Sequence, residues 1–140
     1  MDAPKDNRRH PIRSFMDLEV YQTSYQASLE VIKTVLPCIP AEETDDLRDQ
    51  LRRSAKAVPR LISEGYSKKH QRRGFQKYLD DALSESNETI VSLSHARDLY
   101  AGGDEIPLCE KLVETYGSVS RMIYGLRKAW DEFNTPEDKR

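Results

Sequence analysis

The sequence contains no apolar run that approaches the roughly 20 residues of a membrane-spanning helix. Its first residues, MDAPKDNRRHP, also lack the apolar segment of a signal peptide. Glycine and proline are scarce, with six and seven residues in a chain of 140, which argues against a fibrous or low-complexity protein. From these absences we predict a single cytoplasmic domain without membrane association.

Cysteine is also scarce, and the catalytic sequence motifs are missing. Cys38 and Cys109 have no metal-like spacing with each other or with a histidine, so we interpret both as free thiols that behave as small apolar residues. The chain has no phosphate-binding loop, no glycine-rich dinucleotide turn and no nucleophile elbow. We therefore predict no catalytic residues, no cofactor and no enzymatic activity.

A metal site is the third and least favoured hypothesis. Glu85 and Glu88 lie one helical turn apart, and His95 follows two turns later. Metal-binding helical bundles use Glu-x-x-His pairs on facing helices, and no such pair occurs in this sequence. Because these three residues cannot complete a coordination shell, we predict that no metal is bound.

What the sequence does contain is apolar residues at steps of three and four, the pattern of amphipathic helices. The four predicted helices cover residues 14 to 36, 44 to 66, 75 to 100 and 107 to 133. Ser14 is the expected N-cap of the first, and Pro107 is expected to open the fourth. Since no segment alternates like a strand, we predict an all-α, antiparallel up-down four-helix bundle over residues 14–134. The polar residues 1–13 and 135–140 are predicted to be disordered tails.

The second predicted helix has several distinct faces, which indicates several neighbours. Its apolar face consists of Leu47, Leu51, Ala55, Val58 and Ile62. Its cationic face consists of Arg48, Arg52, Lys56 and Arg60, at steps of four. Pro59 lies inside this helix, where a bend near Val58 is expected because proline removes one backbone hydrogen bond. Gly65 is interpreted as the C-terminal stop.

Basic residues are concentrated around this helix although the net charge of the chain is −2. Between Arg48 and Lys77, ten Lys or Arg face two acidic residues, a local balance of +8. We predict a nucleic-acid phosphate surface, for RNA or DNA, formed by Arg48, Arg52, Lys56, Arg60, Lys68, Lys69, Arg72, Arg73 and Lys77. The alternative is that arginines of the helix pair with acidic residues of neighbouring helices or subunits, while the lysines and arginines of the loop are merely solvated.

The first and fourth helices have wider apolar sectors than one bundle seam requires. The residues responsible are Val20, Tyr21, Tyr116, Ile123, Tyr124 and Trp130. We therefore expect part of this surface to be buried against another copy of the chain.

Four blocks of the sequence resemble successive blocks of the 23S rRNA-intervening-sequence protein family. They are SFMDLEVYQ, the proline and glutamate of the linker before Leu47, QLRRSAKAVPRLISEG and FQKYLDDALSESNE, within about Phe15 to Trp130. The resemblance implies a cytoplasmic bacterial four-helix bundle of unassigned role, with members that form ring-shaped homopentamers. It also implies similarity to the accessory variability determinant of diversity-generating retroelements, a pentamer that binds nucleic acid along a basic surface.

The match to the family is not uniform along these blocks. Gln50, Arg53, Pro59, Glu64, Gly65 and Glu88 agree with it, and together with Tyr21, Tyr116 and Trp130 they are our candidate structural or interface residues. The chain departs from the family at Ala57 in place of serine, at Leu61 in place of asparagine, and at Ser84-Glu85 in place of Gly-Ser. We predict a non-enzymatic homo-oligomer, pentameric by resemblance, that associates with nucleic acid; the alternative is a protein–protein scaffold or adaptor without nucleic-acid binding.

Overall fold

The structure is a computed structural model that describes residues 11–134, with only the backbone described at positions 133 and 134. Its four α-helices are α1 (Glu19–Glu30), α2 (Asp49–Ser67), α3 (Gly74–Leu99) and α4 (Glu105–Asn134). No strand occurs within the described range, so the predicted all-α four-helix architecture is confirmed. The predicted tails lie outside the described residues, except for the exposed positions 11–13.

The chain enters α1 through a short capped turn rather than as one continuous helix. Ser14 Oγ accepts a hydrogen bond from the Met16 N–H at 3.2 Å, and an Asp17 carboxylate oxygen accepts one from the Ser14 N–H at 3.1 Å. This reciprocal capping box stabilises a 3₁₀ turn over Phe15–Asp17. Leu18 is extended, with φ −76° and ψ 127°, so α1 begins at Glu19 instead of directly after Ser14.

Two further predicted helix boundaries are wrong. α2 continues past Gly65 to Ser67, because Gly65 is buried inside the helix and does not adopt the conformation of a C-terminal stop. α4 begins at Glu105, so Pro107 lies in the first turn instead of opening the helix. Proline is tolerated there because the first N–H groups of a helix have no intrahelical partner.

Contacts at each end of the bundle establish the antiparallel order. At one end the Phe75 ring meets the rings of Tyr66 and Trp130 edge-on, at centroid distances of 5.8 and 5.1 Å. At the opposite end the Tyr100 hydroxyl donates a hydrogen bond to Glu43. The aromatic end thus joins the C-terminus of α2, the N-terminus of α3 and the C-terminal part of α4. α3 packs most extensively, against α2 on one side and α4 on the other, while α1 packs on α2 and, less extensively, on α4.

The core accounts for part of the apolar surplus predicted for α1 and α4. Val20, Tyr116 and Ile123 are buried within the single chain, so any apolar surplus is confined to the other residues of that set. Tyr21 and Trp130 are half-buried, and Tyr124 is 60% exposed. The exposed large apolar residues in the described range are Ile12, Met16, Tyr25, Val91, Leu99, Ile106 and Tyr124.

Replacing Tyr116 with phenylalanine is expected to raise the free energy of unfolding by about 1 kcal/mol. The Tyr116 side chain is fully buried, and its hydroxyl has no hydrogen-bond partner among the described residues. Burial raises the pKa of this hydroxyl, so the folded chain keeps it neutral where the unfolded chain ionises. Stability from Tyr116 is therefore lost above about pH 10, and the advantage of Tyr116→Phe should grow there.

Urea unfolding at pH 7 and above pH 10 tests this prediction, with Tyr124→Phe as the matched control. Tyr124 is exposed, so removal of its hydroxyl should leave stability unchanged at pH 7. A clear loss of stability in Tyr116→Phe would contradict the prediction, since it would mean that the buried hydroxyl has a stabilising partner.

Candidate nucleic-acid interface

The cationic row of α2 faces an open groove between α2 and α3. Arg52, Lys56 and Arg60 are exposed and lie at steps of four on one side of the helix. The groove has a volume of about 480 Å³ and is lined by Gln50, Arg52, Arg53, Ser54, Lys56, Ala57, Arg60, Glu85 and Glu88. We call this set the α2 groove. It combines three of the predicted nucleic-acid contacts with three of the residues that match the family.

The arginines of the α2 groove pair within their own helix. Both Arg52 and Arg53 reach the Asp49 carboxylate, with N–O distances of 3.2 and 3.7 Å. Arg60 lies 3.5 Å from a carboxylate oxygen of Glu64. Such exposed pairs are worth only about 0.3–0.5 kcal/mol each. They therefore leave these guanidinium groups available to a phosphate. Among residues 11–134, neither Arg52 nor Arg53 pairs with an acidic residue of a neighbouring helix.

Glu85 and Glu88 place two carboxyl groups on the α3 side of the groove. The pKa of Glu85 is raised, first by burial and then by the charge and hydrogen bond of Glu88, while Arg60 and Arg53 act in the opposite direction. Glu85 therefore retains its proton to a higher pH than an ordinary carboxyl group. Over the pH range in which Glu85 keeps its proton, this carboxyl group does not oppose an anion in the groove.

A second basic surface lies at the aromatic end of the bundle, where α2 turns into α3. A cavity of about 550 Å³ is lined there by Lys68, Gln71, Arg72, Arg73, Gly74, Lys77, Tyr78, Asp80 and Arg127. We call this set the end pocket. The structure thus divides the predicted basic surface into two parts, with Arg52, Lys56 and Arg60 in the α2 groove and Lys68, Arg72, Arg73 and Lys77 in the end pocket.

The loop before α3 is shaped by two unusual backbone positions. The Gln71 N–H donates to the Lys68 carbonyl at 2.9 Å, and the Gly74 N–H donates to the Gln71 carbonyl at 3.0 Å. A Cβ atom at Gly74 would lie 2.3 Å from the Lys68 carbonyl oxygen, so this close approach requires glycine. Arg73 has a left-handed conformation with φ 58°, which turns the chain into α3.

Two predicted cations contribute to neither cavity lining. The Lys69 ammonium group lies 4.3 Å from the centre of the Tyr66 ring, where it makes a cation–π contact. Arg48 is half-buried and forms no ion pair with another residue of the range 11–134. Neither residue is therefore part of the candidate site that the structure defines.

The end-pocket residues that were not predicted from the sequence include Arg127 and Tyr78. Arg127 binds Asp80 through both carboxylate oxygens, at 2.7 and 3.2 Å, and also contacts Asp131. Tyr78 is half-buried and lines the same cavity. Arg127 lies 47 positions beyond Asp80 in the chain. No local pattern could have assigned it to this end of the bundle.

Most of the family-matching residues have identifiable structural contacts. Gln50, Arg53 and Glu88 line the α2 groove, and Glu64 pairs with Arg60. Pro59 is buried. Pro59 also lines a shallow apolar depression between α1 and α2, of about 340 Å³, with Phe15, Tyr21, Tyr25, Leu29 and Ile32.

The aromatic candidates occupy different environments. The Tyr21 ring contacts the Phe15 ring edge-on, with a centroid distance of 4.8 Å, and stacks on the Tyr25 ring, with a centroid distance of 5.9 Å. These rings lie at the border of the apolar depression. Trp130 packs against Phe75 at the aromatic end, and Tyr116 lies in the centre of the core. Of these three predicted residues, Tyr21 therefore has the position best suited to an interface.

Within the described part of the chain, no group of three or more His, Cys, Asp or Glu is arranged to hold a metal ion. The helices of that part include none with the length and apolar character needed to cross a membrane. Cys38 and Cys109 are free thiols, and burial raises the pKa of both, so neither has the features of a reactive thiolate.

The fold and these surfaces define a small all-α bundle protein with an exposed basic side. The sequence model of the 23S rRNA-intervening sequence protein family matches residues 16–125. Since the match covers most of the chain, the protein belongs to this family, and the resemblance of its sequence blocks is confirmed. Comparison with the curated proteins and with the solved structures found no significant match.

Proposed function

We propose that the protein is a non-enzymatic, homo-oligomeric bundle that associates with nucleic acid through its basic side. The observation that carries this proposal is the row of exposed cations in the α2 groove, which have only weak intrahelical pairs or, at Lys56, no ion pair within residues 11–134. Lysine and arginine residues of this kind bind phosphate oxygens and release condensed counterions.

The shape of the basic side suits an extended polyanion. α2 has 19 residues and is therefore about 28 Å long. Its groove cations are followed, at the C-terminal end of the helix, by those of the end pocket. A surface of this length and composition can follow a nucleic-acid backbone. Contacts to the phosphates do not distinguish one sequence from another, or RNA from DNA.

Reversing two charges in the α2 groove tests the proposal. In Arg52→Glu/Lys56→Glu we expect weaker binding of every RNA or DNA sequence tested, because phosphate contacts do not read bases. For duplex DNA the slope of log K against log salt should fall by about 0.9 for each phosphate that the variant no longer neutralises. Fluorescence anisotropy over a series of salt concentrations measures both effects.

Lys33→Glu/Lys111→Glu is the matched control, since it changes the net charge equally at exposed positions outside both cavities. This variant should bind almost as well as the unmodified protein. An equal loss of affinity in both variants would show that only the net charge matters and not the position of the cations. Binding that does not change with salt concentration would rule out the nucleic-acid function.

Self-association is the second part of the proposal, and exposed apolar surface supports it. Tyr25 is 43% exposed beside the apolar depression between α1 and α2, and Met16 is 57% exposed in the turn before α1. Covering such side chains favours association. Light scattering should give a mass that is a multiple of the 16.2 kDa chain, five by the family resemblance; a monomer in dilute solution would contradict this part.

The same apolar depression favours a scaffold or adaptor as the second candidate function. A protein partner bound there would be held mainly by apolar burial, with Lys56 and Arg60 at the border of the contact. Its affinity would depend little on salt, whereas nucleic-acid binding would weaken steeply. The salt series above therefore distinguishes the two functions.

A further inference from the structure

The end pocket differs from the α2 groove in how its charges are arranged. The groove cations come from one helix, whereas the pocket gathers Lys68, Arg72 and Arg73 from the loop, Lys77 from α3 and Arg127 from α4. Asp80 is the one carboxylate among the described lining residues. Because Asp80 is already bound to Arg127, it neutralises that cation and leaves four positive charges converging on one cavity.

These four cations lack the local partners that the α2 arginines have. Lys68, Arg72, Arg73 and Lys77 form no ion pair with any residue of the range 11–134. Convergent like charges repel one another, and an anion of high charge density relieves that repulsion. A phosphomonoester carries a charge of about −1.5 to −2 at pH 7. An internal phosphodiester carries only a single negative charge, so the pocket favours the monoester.

The size and lining of the end pocket also suit a chain end. Its volume of about 550 Å³ falls in the range of small-molecule sites, so it can hold more than a phosphate group. Tyr78 is the one aromatic residue among the described lining residues, and a base can stack on an aromatic ring. One ring beside a cluster of cations matches one terminal nucleotide better than a run of stacked bases.

We propose that the end pocket binds the phosphomonoester at the end of a nucleic-acid strand. The phosphate lies among Lys68, Arg72 and Lys77, and the terminal base stacks on Tyr78. The inference rests on the proposed nucleic-acid function and adds to it a preference for strands with a phosphorylated end.

Oligonucleotides of one sequence, with a 5′-phosphate, a 3′-phosphate or hydroxyl groups at both ends, test the inference with the full-length protein. One phosphorylated form should bind at least about tenfold more tightly than the hydroxyl form. A single hydrogen bond to a charged group typically changes affinity by about that factor or more. The corresponding nucleoside monophosphate should compete only at much higher concentration, since it lacks the backbone contacts of the strand.

Two variants assign the preference to the end pocket. Arg72→Gln/Lys77→Gln, at two exposed positions, should abolish the difference between the phosphorylated and hydroxyl strands. Arg52→Glu/Lys56→Glu should weaken the binding of both strands by the same factor, so the ratio of the two affinities should not change. Circular dichroism of each variant verifies that the helices are retained.

The possible failures are distinguishable. Equal binding of the phosphorylated and hydroxyl strands would overturn the inference and leave the proposed function intact. A preference that survives Arg72→Gln/Lys77→Gln would also overturn it. A nucleoside monophosphate that binds as tightly as the strand would refute recognition of a strand end, and absence of binding by all strands would refute the proposed function itself.

Discussion

Replacing Phe75 with alanine is expected to lower the free energy of unfolding by about 3–5 kcal/mol. Phe75 is fully buried at the start of α3 and makes edge-on contacts with Tyr66 of α2 and Trp130 of α4. Its removal leaves a cavity where three helices meet and also deletes two aromatic contacts. Since domains of this kind have a stability of about 5–15 kcal/mol, the decrease is a large part of the total.

Chemical denaturation followed by tryptophan fluorescence measures this effect, because Trp130 is the single tryptophan of the chain and lies 5.1 Å from Phe75. Phe75→Leu is the control: it keeps much of the buried volume and should cost clearly less. A decrease below about 1 kcal/mol in Phe75→Ala would contradict the prediction, since the helices would then have to close around the cavity without penalty.

Replacing Gly65 with valine is expected to destabilise the bundle by about 3 kcal/mol. A Cβ atom at Gly65 would lie 2.6 Å from the Cβ of Tyr78 and 3.1 Å from the Phe75 ring. Because the Tyr78 Cβ is fixed to the backbone of α3, α2 and α3 would have to move apart. Gly65→Ala should also destabilise, since the overlap outweighs the gain of about 1 kcal/mol that alanine brings to a helix interior.

Gly125→Ala is the matched control for this experiment. Gly125 lies in α4, is exposed, and has open space where its Cβ would be placed. Alanine should therefore stabilise the protein there by up to about 1 kcal/mol, a change of opposite sign, as thermal or urea unfolding would show. If Gly65→Ala stabilised the protein as much as Gly125→Ala does, the close contact between α2 and α3 would be refuted.

The substitution at Gly65 also connects stability to the candidate site. Tyr78, the residue that limits space at Gly65, lines the end pocket. A separation of α2 from α3 would displace Tyr78 relative to Lys68. We therefore expect a folded Gly65 variant to lose preference for a phosphorylated strand end more than it loses affinity for the strand as a whole.

The sequence by itself determined the helices and the family. Apolar residues at steps of three and four, together with the expected N-cap Ser14, predicted four helical segments whose approximate positions the structure confirms. Such patterns are local, since each depends on residues within a few turns of one helix. The block QLRRSAKAVPRLISEG was sufficient in the same way to indicate the family.

Only the tertiary structure decided the role of Gly65, the burial of Tyr116, and the division of the basic residues into a groove and a pocket. The requirement for glycine at position 65 comes from the short distance to Tyr78 on another helix. Arg127 lines the end pocket although it lies 47 positions beyond Asp80 in the chain. Helical periodicity places a residue on a face of its own helix. It does not specify how closely two helices approach or which side chains from distant positions meet, because that depends on the packing of the whole core.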